Sequence, residues 1–214
     1  ILSGATPRYV KLHTPGWYID FDELAAAFNE KTKAIIINTP NNPTGKVFSK
    51  AEMEKIAALC IKWDTLAITD EIYEHILYDD SVHISLASLP GMAERTITIN
   101  SISKTYSVTG WRVGWAVAAP AITARIRKVH DFLTVGAPTP FQHAAAHALT
   151  FKPGYYHELR EKYEKSRAYI TETLVSTGFK PYIPQGAYYI MVDASGLFPL
   201  LKAENDFDFS KKLI

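Results

Sequence analysis

Three short apolar runs, each breaking off on polar residues, constrain this chain more than any other feature. Lys33–Asn38 carries Ala34-Ile35-Ile36-Ile37 into Thr39-Pro40-Asn41-Asn42-Pro43-Thr44-Gly45, Thr65–Thr69 closes on Asp70-Glu71, and Thr96–Asn100 closes on Ser101-Ile102-Ser103-Lys104. Continuous apolar runs of this length suit strands covered on both faces, as the strands of parallel sheets are. Between the first two runs, Ser49 and Glu52 form a capping box, and Met53, Ile56, Ala57, Cys60 and Trp63 then make one helical stripe that ends near Asp64. Asp20 caps an earlier helix whose apolar positions are Phe21, Leu24, Ala25 and Phe28, and Gly114–Ala119 reads as a further strand. This alternation predicts an α/β fold, a mostly parallel sheet flanked by helices.

Beyond Pro120 the pattern turns helical. Ile122–Leu133, Pro140–Phe151 and Tyr155–Ser176 precede two strand-like runs, Phe179–Ile183 and Ala187–Val192. The shift predicts a large domain over residues 1–152 and the start of a smaller α/β domain over residues 153–214. The first residue is Ile1, and both ends, Ile1–Leu12 and Phe207–Ile214, read as elements in progress, so the expectation is a piece of a longer protein.

Charge narrows the partners. Twenty-three Lys and Arg against 22 Asp and Glu leave a net charge of +1, too weak a field to attract nucleic acid or an anionic membrane. No apolar stretch reaches the roughly 20 residues that span a bilayer. The single cysteine, Cys60, forms no intrachain disulfide, and a reducing, cytoplasmic compartment is expected.

In open α/β sheets, ligands bind outside the carboxyl ends of the strands. Asn42, Asp70 and Lys104 all fall in such places. Each alone reads as an ordinary turn asparagine, loop-capping aspartate or solvated lysine; their coincidence points to a site. A nucleotide-hydrolysing reading lacks its Gly-x4-Gly-Lys-Ser/Thr loop, and a dinucleotide reading lacks Gly-x-Gly-x-x-Gly. His143 and His147 share a helix face without a zincin glutamate or a third ligand, so no metal is expected.

Three motifs then carry a more specific resemblance. Asn38-Thr39-Pro40-Asn41-Asn42-Pro43-Thr44-Gly45-Lys46, Thr69-Asp70-Glu71-Ile72-Tyr73 and the run from Ser101-Ile102-Ser103-Lys104 to Gly110-Trp111-Arg112-Val113-Gly114 resemble, in order and spacing, the class I/II pyridoxal-phosphate aminotransferases of fold type I. The likeness extends through essentially the whole chain and is greatest to the branch of kynurenine, glutamine-phenylpyruvate and methionine aminotransferases. The resemblance implies that Lys104 forms the Schiff base with pyridoxal 5′-phosphate and shuttles the substrate proton. It implies that Asp70 faces the pyridinium nitrogen, that Tyr73 and Asn42 bond the phenolate oxygen, and that Ser101, Ser103 and Arg112 hold the phosphate. Gln185-Gly186-Ala187-Tyr188-Tyr189 resembles a turn bordering the substrate pocket.

The same resemblance implies an amino donor that is aromatic or sulfur-containing, a 2-oxo acid acceptor and a homodimer. It also implies two parts that this chain lacks: an upstream segment with a phosphate-binding helix start and a ring-stacking aromatic, and a downstream arginine for the substrate carboxylate. Two other readings share the motifs: a carbon–sulfur lyase of the same fold, and a cofactor-sensing domain of a transcriptional regulator.

Overall fold

The computed structural model describes residues 4–213. A small hairpin comes first, β1 (Leu12–His13) pairing antiparallel with β2 (Tyr18–Ile19). Two residues per strand leave no readable alternation, and the sequence pattern gives no sign of it. Helix α1 (Phe21–Ala27) starts where Asp20 accepts from the amides of Asp22 and Glu23 at 2.9 and 3.2 Å. Strand β3 (Ala34–Asn38) follows, and then α2 (Lys50–Lys62), whose capping box is complete in both directions between Ser49 and Glu52.

Strands β4 (Leu66–Asp70), β5 (Thr96–Ser101) and β6 (Gly114–Val117) complete a sheet of order β3-β4-β5-β6. The first three run parallel and β6 runs antiparallel to β5, so the sheet is mixed but mostly parallel. Register matters for the site. Asn38 lies opposite Asp70, and Asp70 opposite Ile99, so the carboxyl ends of three adjacent strands sit level along one edge.

The apolar runs were expected to be covered on both faces, and among the described residues that holds for one. Leu24 and Phe28 with Met53, Ile56, Ala57 and Cys60 of α2 bury Ile37 and Ala67 on that side. On the other side Ile36 is 76% exposed, because α1 and α2 both pack on the same face.

Helices α3 (Pro120–Leu133), α4 (Thr139–Ala148) and α5 (Pro153–Ser176) follow the sheet much as the periodicity predicts. The two expected late strands shrink to β7 (Lys180–Pro181) and β8 (Val192–Asp193), an antiparallel pair. Backbone hydrogen bonding explains this correction. Between them the amides of Gln185 and Gly186 both donate to the Gly45 carbonyl at 2.9 Å, and the Ala187 amide donates to the Ile76 carbonyl at 2.9 Å. Those groups are spent on distant loops, and Pro181 and Pro184 have no amide to offer a ladder. Short α6 (Phe198–Leu201) and α7 (Asp206–Leu213) close the described chain.

Candidate active site

The edge formed by the ends of β3, β4 and β5 gathers three loops. Asn38, the last residue of β3, ties two of them: its Nδ2 donates to the Asp70 carbonyl at 3.1 Å, and its Oδ1 accepts from the Asn42 amide at 2.6 Å. Asn38 was read from the sequence only as the start of a motif. Its signal is a polar residue closing an apolar strand, and its work is to hold Asn42 beside Asp70. Asn42 itself is exposed.

Asp70 is half-buried, and among the described residues its carboxylate accepts only from the Ile72 amide, at 3.3 Å. Glu71 points the other way and is 1% exposed. It binds the Thr69 hydroxyl at 2.8 Å, the Ser85 hydroxyl at 3.0 Å and His83 Nε2 at 2.8 Å. Alternation along an extended chain thus sends one carboxylate to the edge and its neighbour into the core. The Glu71 network, unassigned in the sequence reading, fixes the turn between Asp70 and Tyr73. Glu74 and His83 approach Glu71 closely enough to be considered as metal ligands, but Glu71 is already taken by three protein partners and Glu74 by Asn100.

Tyr73 is 2% exposed, and its hydroxyl lies 2.9 Å from that of Tyr189. Burial first, and then the hydroxyls of Tyr189 and Tyr188, raise its pKa far above the phenolic range, so it stays protonated. Its ring meets Tyr188 edge-on at 5.2 Å, Tyr163 of α5 stacks on Tyr188 at 5.9 Å, and Lys104 Nζ stands 5.7 Å from the centre of the Tyr188 ring. Burial alone would raise the Tyr188 pKa, but Lys104 and the hydroxyls of Tyr73 and Tyr189 outweigh it and lower it.

The third loop follows β5. The Ser101 hydroxyl accepts from the Ser103 amide at 3.0 Å, and Ser103, itself buried, receives the Thr109 hydroxyl on its carbonyl at 3.0 Å. Arg112 sits at φ +55, in the left-handed region that costs a non-glycine residue on the order of 1–2 kcal/mol. Its guanidinium donates to the Thr109 carbonyl at 3.0 Å and is otherwise open to solvent. Among the described residues neither Lys104 nor Arg112 has a carboxylate within ion-pair distance. Two free cations and two serines in one tight loop form a donor set suited to an anion.

A cleft of about 1050 Å³ opens between this loop and α5, walled by Ser103, Lys104, Tyr163, Arg167, Tyr188 and Tyr189 among others. Of the seven residues expected at the site, Ser103 and Lys104 line it, and Tyr73 reaches its wall through Tyr189. Asn42, Asp70, Ser101 and Arg112 lie outside its lining, the first two because they belong to strand ends one and two places along the sheet. The amine, the lightly bonded carboxylate and the anion-binding loop fit a phosphate-bearing pyridine aldehyde. His143 and His147 are both exposed on α4, as the surface reading has them.

Comparison with known proteins agrees with this donor set. The family model for aminotransferase class I and II matches residues 1–214. A kynurenine–oxoglutarate transaminase of Dictyostelium discoideum is 45% identical over 217 residues, covering 92% of this chain and 50% of that protein. The solved aromatic aminotransferase of Pyrococcus horikoshii superposes with a TM-score of 0.77 at 40% identity, over 83% of this chain and 48% of that one. An Escherichia coli protein with a methionine aminotransferase function gives 0.82 at 35% identity, over 87% and 49%. The chain spans about half the length of the curated relatives it matches. With a match along its whole length and the same fold, this chain belongs to the class I and II aminotransferases, a family dependent on pyridoxal 5′-phosphate.

Proposed function

We propose that this chain is the lysine-bearing half of an enzyme that moves an amino group from an aromatic or sulfur-containing amino acid to a 2-oxo acid. The observation that carries the reading is Lys104 on the cleft wall, with no carboxylate within ion-pair distance among the described residues, in a loop shared with Ser101, Ser103 and Arg112. The names of the relatives, kynurenine, aromatic and methionine aminotransferases, support the donor class. So does a cleft wall that carries Tyr163, Tyr188 and Tyr189.

Lys104 Nζ would hold the cofactor covalently and, once released, carry the proton between the substrate carbon and the cofactor. Asp70, with one carboxylate oxygen free of hydrogen bonds among the described residues, would keep a proton on the ring nitrogen facing it. Tyr73 and Asn42 would donate to the ring oxygen, while Ser101, Ser103 and Arg112 would grip the phosphate. Bound pyridoxal 5′-phosphate supplies the electron-withdrawing ring that disperses charge developed at the substrate carbon.

The finer expectations belong to the same proposal. A division near residue 152 is supported by the change there from the main sheet to helices and the separate β7-β8 pair. A homodimer is supported by the apolar end of α3, where Phe132 and Leu133 are 94% and 76% exposed, a patch of the kind that marks a protein contact. A cytoplasmic setting is supported by Cys60, free and buried, with burial pushing its thiol up to about 11. No helix among the described residues is long and apolar enough to cross a membrane.

The test is borohydride reduction of the intact protein loaded with pyridoxal 5′-phosphate, followed by peptide mass spectrometry. The expected adduct is on Lys104, and Lys104→Ala removes it. An adduct on another lysine, or on none, overturns the reading.

A further inference from the structure

Tyr189 has no role in the reading above beyond bordering the pocket, yet its hydroxyl lies within hydrogen-bond distance of the Tyr73 hydroxyl, at 2.9 Å. The contact joins residues 116 positions apart in sequence, and the backbone is built to hold it. The Ala187 amide donates to the Ile76 carbonyl at 2.9 Å, and the Ile76 amide to the Tyr73 carbonyl at 2.8 Å, so the turn carrying Tyr189 is fastened to the turn carrying Tyr73. Gly186 makes the approach possible: a Cβ there would meet Pro40 Cβ at 2.8 Å and the Ile76 carbonyl at 2.9 Å. The two rings cross edge-to-face at 5.9 Å.

We propose that Tyr189 is a positioning residue for the reaction: its hydroxyl donates to the Tyr73 oxygen, and so orients and strengthens the bond that Tyr73 donates to the ring oxygen of the cofactor. This rests on the reading of Tyr73 given above. A phenol has one proton and two acceptor positions, so Tyr73 can give its proton to an anionic oxygen and receive one from Tyr189. Each donor in such a chain polarises the next, strengthening it by about 10–30%. The chain stays protonated, because burial holds the Tyr73 proton and the neighbouring titratable groups, Tyr188, Tyr163 and Lys104, add no carboxylate to the pair.

The test uses the intact protein loaded with pyridoxal 5′-phosphate and reads the pH midpoint of its visible absorption band, a quantity separate from turnover. A hydrogen bond to the charged ring oxygen stabilises the anion, so losing the Tyr73 donor raises the midpoint by something on the order of a unit. Tyr189→Phe keeps the ring and removes only the hydroxyl; its expected effect is a rise of about 0.1–0.3 unit in the same direction. In a Tyr73→Phe background the same substitution is expected to add nothing, since its effect passes through Tyr73. A shift in Tyr73→Phe with none in Tyr189→Phe overturns the positioning role and leaves the reading of Tyr73 intact. A Tyr189→Phe shift that persists undiminished in the Tyr73→Phe background also overturns it. An unchanged midpoint in Tyr73→Phe overturns the reading of Tyr73 and this proposal together.

Discussion

The edge of the parallel sheet and the turn at Pro184–Tyr189 both deliver side chains to the region around Lys104, and they are held by different means. The edge rests on a continuous ladder, β3 to β4 to β5, over a core in which Met53, Cys60 and Ala67 are wholly buried. The turn has a two-residue pair behind it and takes its position from others: the Gly45 and Ile76 carbonyls, and Arg167, which donates to the Pro184 carbonyl at 3.0 Å while gripping Asp79 with both arms. A residue placed by a ladder inherits its position from the apolar pattern of its own segment. One placed by borrowed bonds depends, here through Gly45 and Ile76, on segments more than a hundred residues away.

The comparison breaks most visibly at Glu71, beneath the sheet edge. Glu71→Ala leaves His83 Nε2 and the hydroxyls of Thr69 and Ser85 without their buried acceptor. Removing one member of such a group costs about 3–5 kcal/mol. Urea unfolding should show a midpoint lowered accordingly; a loss under about 1 kcal/mol would mean that the edge does not depend on its buried network. Gly186→Ala probes the turn instead. The added Cβ has backbone and proline on its path, and overpacking of this kind costs about 1–3 kcal/mol. Because Gly186 adjoins the Ala187 amide that fastens this turn to the turn carrying Tyr73, this variant should also disturb the Tyr73–Tyr189 contact, read as a change in the midpoint of the visible band. Unchanged stability and spectrum in Gly186→Ala would show that the turn is more compliant than its contacts imply.

This difference also governs what the sequence revealed. The runs into Asn38, Asp70 and Ser101 announced three strands because Ile-rich series this short have few other uses, and the motifs that follow them named the candidate site residues. The capping boundary at Ser49 was equally plain. Asn38 and Glu71 stood inside the same motifs but without a role, since a strand period says which way a side chain points and not what meets it there. Tyr189 gave less still: its partner lies 116 residues away and no local pattern records that distance. The two late strands were overcalled because Phe179–Ile183 and Ala187–Val192 have the composition of strands, while the Phe179 and Ala187 amides donate to the carbonyls of Leu174 and Ile76 and Pro181 has no amide to offer. The open face at Ile36 follows from where α1 and α2 pack, which a stripe of apolar residues on a helix does not specify.

The smallest effect separates the two regions by pH. Glu52 would be pushed up by burial, but Lys46 at 2.8 Å and the Ser49 amide and hydroxyl outweigh this and lower its pKa below the ordinary 4.5. A carboxyl group lowered on folding stabilises the protein fully above its unfolded value, and that contribution disappears as the pH falls through the folded one. The window therefore lies below about pH 4.5; the Lys46 and Glu52 side chains are 7% and 19% exposed, so solvent screens the pair only in part, and the loss is on the order of 1 kcal/mol. In α7, Asp208 is lowered by Lys212 in the same sense, but these side chains are 30% and 42% exposed and the pair is more strongly screened. Glu52→Gln should flatten part of the acid limb of a stability–pH curve, whereas Asp208→Asn should leave that limb where it was. Equal responses from the two would show that the ion pair at the start of α2 contributes no more than a surface contact, and that the advantage of the sheet region lies in its apolar core alone.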